Sequence, residues 1–131
     1  MDRDAIHAFL ATSYWSEGIP KDTLVKAMQQ SLCFGLFEGQ QQIGFARAVT
    51  DRATFAYLAD VYIEPTHRDK GLGIWLTEQL MAHTDLQGLR RMMLATRDAH
   101  SLYRRFGFTK LTKPNTIMER WRPAIYREGK E

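Results

Sequence analysis

Ile6, Phe9, Leu10 and Tyr14 recur at intervals of three and four residues, the spacing that gathers apolar side chains on one face of an α-helix. This predicts a first amphipathic helix over residues 3–14, with Asp2 or Asp4 as its N-cap. The segment Tyr14-Trp15-Ser16-Glu17-Gly18-Ile19-Pro20 breaks the period, and Pro20 suits the first turn of a second helix carrying Leu24, Val25 and Met28. Strand-like runs follow at 32–38, 43–50 and 54–64, separated by Gly39-Gln40-Gln41 and Thr50-Asp51-Arg52-Ala53. Connections this short make an antiparallel meander. The third run is apolar on both faces apart from Asp60, the pattern of a central strand covered by helices, and Pro65 ends it.

Beyond the loop at 66–71, Leu72, Trp75, Leu76, Leu80 and His83 outline a third helix, which Gly88 stops before a short strand at 91–96. Strand, glycine-bearing loop, helix and strand make a crossover unit. Asp98 is the expected N-cap of a short helix holding Leu102, Tyr103 and Phe106, with Gly107 as its left-handed terminator. Residues 108–111 and 117–121 are the expected last strands, with Pro114-Asn115 between them.

Composition narrows the function classes more than the fold. At 131 residues, 44% hydrophobic and 25% charged, the chain matches soluble globular proteins of one core. Eighteen Lys+Arg against fifteen Asp+Glu leave +3, but the basic residues are scattered, which argues against a nucleic-acid partner. Cys33 is the sole cysteine, so an intrachain disulfide and a zinc site of paired thiolates are excluded, and a reducing compartment is expected. The N-terminus is acidic where a signal peptide is basic, and no uncharged apolar run approaches the ~20 residues that cross a bilayer. A cytoplasmic protein with no membrane partner is expected. His7, His67, His83 and His100 are too dispersed for a local ligand pair, so no metal is expected.

The informative stretch is Val61-Tyr62-Ile63-Glu64-Pro65-Thr66-His67-Arg68-Asp69-Lys70-Gly71-Leu72-Gly73. A strand that feeds a two-glycine turn and then a helix presents backbone N–H groups at the positive end of the helix dipole, and Arg68 and Lys70 add charge. Gly71 and Gly73 carry no side chains to keep a phosphate off the backbone. A P-loop is ruled out because Ile74 and Trp75 follow Gly73, and the dinucleotide fingerprint because Leu76 stands where its third glycine belongs. Taken alone, the pattern reads equally as a tight strand-to-helix turn with solvated basic residues.

A second motif, Leu102-Tyr103-Arg104-Arg105-Phe106-Gly107-Phe108, follows about thirty residues later. With Arg68-x-x-Gly71-x-Gly73 it resembles the GNAT superfamily of acyl-CoA-dependent N-acetyltransferases, and the order of elements resembles that family's plan over nearly the whole chain. The resemblance implies an α/β (α+β) fold over residues 1–131: one GNAT-like domain whose central, mostly antiparallel mixed sheet is flanked by about four helices and splays near the CoA site. It implies that Arg68, Asp69, Lys70, Gly71, Leu72 and Gly73 bind the pyrophosphate of acetyl-CoA as co-substrate. Val61, Tyr62 and Ile63 would then pair their backbone with the pantetheine arm.

The same resemblance places the Tyr103 phenol near the thioester sulfur; a packed aromatic beside Phe106 and Phe108 is its alternative role. A phenol with a pKa near ~10 can protonate a departing thiolate while staying protonated at neutral pH. An attacking amine needs a proton acceptor, and Asp60, the lone charge in an apolar strand, is the candidate; a structural pair with an arginine is its alternative role. Arg47 is expected to pair with Asp51, or else to bind an acceptor carboxylate. Tyr14 and Trp15 match the segment that lines the acceptor site in similar proteins, and read equally as core plugs. Two positions depart from the family pattern: Asp69 stands where glycine is common, and Thr96 stands for an asparagine seven residues before Tyr103, where its hydroxyl can still donate to pantetheine.

The expected function is transfer of an acetyl group from acetyl-CoA to a primary amine of a small molecule or peptide, by direct attack in a ternary complex. Cys33 has no motif-based histidine to activate it as a covalent carrier. The alternative is a non-catalytic CoA-binding or regulatory domain of the same fold. The exposed ends of the last strands offer a homodimer contact.

Overall fold

The computed structural model describes residues 1–128 of the chain. Helices α1 (Arg3–Leu10) and α2 (Lys21–Gln29) precede strands β1 (Leu32–Glu38), β2 (Gln41–Thr50) and β3 (Phe55–Ile63). Helix α3 (Leu72–Ala82), strand β4 (Arg91–Leu94) and helices α4 (His100–Arg104) and α5 (Ile125–Glu128) follow. The sheet runs in the order β1-β2-β3-β4, with the first two pairings antiparallel and β3-β4 parallel. A single α/β domain with a mixed, mostly antiparallel sheet results.

The period-2 alternation of β2 and β3 sends their side chains into two cores. On one face Phe45 and Tyr62 pack with Ile6 and Leu10 of α1 and Leu24 of α2. On the other, Ala46, Ala48 and Ala56 leave room for Leu76 and Leu80 of α3 and for Tyr103 of α4. Full burial of each of those leucines contributes about 2 kcal/mol.

One irregularity positions everything that follows. Phe45 pairs with Tyr62 and Arg47 with Ala59, so Ala46 stands opposite both Asp60 and Val61, and β3 carries a bulge. Asp60 takes the left-handed conformation there, φ 57°, which Asp tolerates better than most residues. Pairing of β3 with β4 ends at Leu58 and Leu94, just before the bulge. The two strands part beyond it.

Several elements differ from the sequence expectation for local reasons. Helix α1 stops at Leu10 because the hydroxyls of Thr12, Ser13 and Ser16 donate to the carbonyls of Phe9 and Leu10. Pro20 is the N-cap of α2, in extended conformation, and stands one position before the first turn. A 3₁₀ turn at Thr84–Leu86 ends the α3 region ahead of Gly88, and β4 is two residues shorter than expected. Ala99, not Asp98, is the N-cap of α4, and the Thr96 hydroxyl accepts its N–H at 3.0 Å.

The strands expected at 108–111 and 117–121 do not form. Residues 109–125 are exposed, with only a 3₁₀ turn at Pro114–Thr116. Pro114 has no N–H to donate to a ladder, and Lys110, Thr112, Lys113 and Asn115 give this stretch no continuous apolar face to bury against β4. Helix α5 was not anticipated and makes a fifth helix.

Candidate active site

A cleft of about 1080 Å³ opens where β3 and β4 part. Of the residues singled out from the sequence, all but Lys70 and Arg47 line it. Phe9, Tyr57, His67 and Arg97 line it too and were missed, because each reads locally as an ordinary amphipathic, strand or loop residue.

One wall is the loop from β3 to α3. The Arg68 Nε donates to the Ile63 carbonyl at 2.9 Å, stapling the loop back onto the strand. Asp69 (φ 63°) and Gly71 (φ 75°) are left-handed, and Gly71 is the N-cap of α3 without any side-chain cap. The first-turn N–H groups therefore have no side-chain acceptor where a helix most favours an anion. A Cβ placed on Gly71 or Gly73 meets nothing within 4 Å, so the space above this turn is open. Asp69 is exposed, and Lys70, exposed as well, lies outside the lining. The turn fits the pyrophosphate of CoA: a dianion, backbone donors and no Cβ between them.

Gly73 has no positive-φ requirement, so Gly73→Val tests this wall without backbone strain. The branched side chain enters the anion's approach, and CoA affinity should fall about tenfold, ~1.4 kcal/mol, with melting temperature kept. Calorimetry that finds unchanged affinity in the folded variant contradicts the assignment.

Tyr103 lines the same cleft. It is 7% exposed, and its ring meets Phe108 edge-on at 5.8 Å. Burial, followed by the neighbouring Tyr14 phenol, pushes its pKa above the ordinary value, so it is a protonated acid throughout the neutral range. Tyr62, stacked on Phe9 at 3.9 Å between ring centroids, is pushed up as well, by burial first and then by Glu64 and Asp2. Its buried hydroxyl has no hydrogen-bond partner among the described residues.

These two phenols set an alkaline limit. Above pH ~10 the unfolded chain loses the phenolic protons that the native state keeps, so native stability is intact below that pH and falls as pH rises. Chemical denaturation between pH 8 and 11 should give a falling midpoint above pH ~10, less steep in Tyr62→Phe. A flat midpoint across that range contradicts the shifts.

Asp60 lies on the floor of the cleft with both oxygens bonded. Oδ2 accepts from Arg47 Nε at 2.8 Å, and Oδ1 accepts from Trp15 Nε1 at 2.9 Å. Arg47 Nη1 donates to Ser31 Oγ at 3.0 Å, and Ser31 donates to the Ala27 carbonyl at 2.7 Å. The expected Arg47–Asp51 pair is thus replaced by Arg47–Asp60, whose side chains are 17% and 8% exposed. Asp51 is turned into its own loop, accepting from the N–H groups of Ala53, Thr54 and Phe55 and from the Thr54 hydroxyl. Those donors, the Thr54 hydroxyl first, hold its carboxyl well below the usual range. Arg47 lies outside the cleft lining and is committed to Asp60 and Ser31, so it is not positioned to receive an acceptor carboxylate.

Tyr14 meets Trp15 edge-on at 5.1 Å, and the Arg97 guanidinium lies 3.9 Å over the Tyr14 ring. The 11–18 segment is therefore tied to the bulge by Trp15 and to the β4–α4 loop by Tyr14. Thr96 accepts from Ala99, which leaves its hydroxyl proton to donate into the cleft it lines. The Cys33 thiol lies away from the cleft, donates to the Met28 carbonyl at 3.5 Å, and has a pKa raised chiefly by burial. No helix among the described residues is long and apolar enough to cross a membrane.

Known proteins resemble this chain over most of its length. The acetyltransferase (GNAT) family model matches residues 3–108. A Gibberella zeae protein assigned as an acetyltransferase is 37% identical, with 76% of this chain and 68% of that protein covered. A crystal structure from Xanthomonas campestris, assigned as a GNAT-family acetyltransferase, is 47% identical with a TM-score of 0.94, covering 96% of this chain and 89% of that one. A Mycobacterium tuberculosis protein solved with CoA shares the fold at 22% identity and a TM-score of 0.67, over 84% of this chain and 68% of that one. A two-glycine turn at an uncapped helix, a strand pair that parts at a bulge and a buried tyrosine lining the same cleft sit within the matched residues, and the chain belongs to the GNAT acetyltransferase family.

Proposed function

We propose that this chain transfers the acetyl group of acetyl-CoA to a primary amine by direct attack in a ternary complex. The observation that carries the proposal is the convergence of an uncapped α3 N-terminus and the Tyr103 phenol on one cleft. Acetyl-CoA supplies an acetyl group activated as a thioester. The first-turn N–H groups of α3 hold its pyrophosphate, and the backbone of 61–63, beyond the β3-β4 pairing, receives the pantetheine arm. Thr96 donates a hydrogen bond to that arm.

The amine nitrogen forms the bond to the acetyl carbon, the carbon–sulfur bond breaks, and the Tyr103 hydroxyl gives its proton to the leaving sulfur. The phenol regains a proton from solvent, which also takes the proton lost by the amine. Asp60, bonded at both oxygens, serves as a positioning residue that fixes Trp15 in the acceptor wall. Cys33 forms no acetyl-enzyme, since its raised pKa and its place outside the cleft deny it the role of nucleophile.

Initial-rate kinetics test the order of events. A ternary complex gives intersecting double-reciprocal lines when amine and acetyl-CoA are varied together. Parallel lines, with acetylated protein isolated in the absence of amine, overturn direct attack.

A further inference from the structure

Accepting the acetyl-transfer reading just given, we infer that the acceptor is a monoamine carried on a flat aromatic body, not a polycation. The acceptor side of the cleft is walled by Phe9, Tyr14, Trp15 and Tyr57, contributed by α1, the 11–18 segment and β3. Three of these rings keep large exposed faces: Tyr14 is 53%, Trp15 41% and Tyr57 37% exposed, and all three line this one cavity. Exposed aromatic surface gathered in a concave site is a binding feature, where the same rings scattered over a surface would not be. Three of the four rings are also held in place. Trp15 is fixed by its bond to Asp60, Tyr14 by Arg97, and Phe9 by its stack on Tyr62. Rigid rings bind a flat partner without first paying to order themselves.

Charge decides against a polycation. Asp60, the acid on the cleft floor, is matched by Arg47 and bonded to Trp15, so it offers no free counter-ion to an ammonium. The other acids of the lining, Asp69 and Asp98, are exposed to solvent, and the lining also carries the arginines next to them in sequence, Arg68 and Arg97. A second or third ammonium would lie among rings and guanidinium groups. A single amine fares differently, because desolvation between apolar walls favours its uncharged form, the form that attacks.

The test measures amine-dependent thiol release with saturating acetyl-CoA for 2-phenylethylamine, n-butylamine, spermidine and kanamycin, in the wild type and in Trp15→Ala. The inference predicts a kcat/KM for 2-phenylethylamine at least about tenfold above that of n-butylamine and of either polycation. In Trp15→Ala that preference shrinks to about threefold or less, through KM for the ring-bearing amine, while KM for acetyl-CoA is kept. A preference for spermidine or kanamycin, equal use of all four amines, or a ring preference that survives Trp15→Ala overturns the aromatic acceptor and leaves acetyl transfer standing. Acetyl-CoA binding with no amine-dependent thiol release from any of the four overturns the transfer reading, and this inference with it.

Discussion

Replacing Tyr103 by phenylalanine should lower kcat roughly 10²-fold while leaving CoA affinity and the melting temperature close to wild type. The substitution keeps the ring that packs against Phe108 and removes the hydroxyl alone. Because burial holds that phenol above its ordinary pKa, the wild-type kcat should stay level through neutral pH and decline only above pH ~10. The sign follows from the acid role: the active form is the protonated one, and it is lost as pH rises. In Tyr103→Phe the remaining activity should lack that decline. Stopped assays at several pH values check both features, and an unchanged kcat would make Tyr103 a core residue with another group protonating the thiolate.

Asp60→Asn should cost about 3 kcal/mol of stability, a fall in melting temperature of about 10 °C for a chain this size. Asparagine tolerates the left-handed bulge conformation, so the loss falls on the charge and not on the backbone. It leaves the Arg47 guanidinium, 17% exposed, with Ser31 as a neutral partner. Trp15 loses a charge-assisted acceptor at the same time, so KM for the amine should rise more than kcat falls. Thermal melts run beside pH–rate profiles separate this from proton abstraction by Asp60. If the carboxylate accepts the amine's proton, the acidic limb of kcat/KM shifts in the variant; if it positions Trp15, the limb stays where it was.

Local sequence carried the parts of the site that are local. The two glycines and the helix behind them are contiguous, so local pattern offered them as an anion cradle, whereas the tyrosine motif, on one short helix bounded by Gly107, stood out only through its resemblance to the GNAT family. β1 was legible to the residue because turns bracket it. The floor of the cleft was not legible in the same way. Asp60 meets Arg47 thirteen positions away and Trp15 forty-five away, through a bulge that no hydrophobic period announces. Asp51, nearer in sequence, was the more obvious partner for Arg47, yet its own loop's N–H groups satisfy it.

The C-terminal error has the opposite cause. Phe108, Leu111, Ile117 and Trp121 carry strand propensity, but propensity forms a strand only against a partner edge. Phe108 is drawn instead onto the Tyr103 ring, and the residues after it are exposed.

The most direct test of the central claim is mass-spectrometric product analysis after incubating the protein with acetyl-CoA and, in turn, 2-phenylethylamine, n-butylamine, spermidine and kanamycin. The account predicts N-acetylated amine and free CoA in equal amounts, both reduced roughly 10²-fold in Tyr103→Phe. Free CoA appearing with acetate and no acetylated amine, or acetyl-CoA recovered intact from a protein that binds it, would contradict the account.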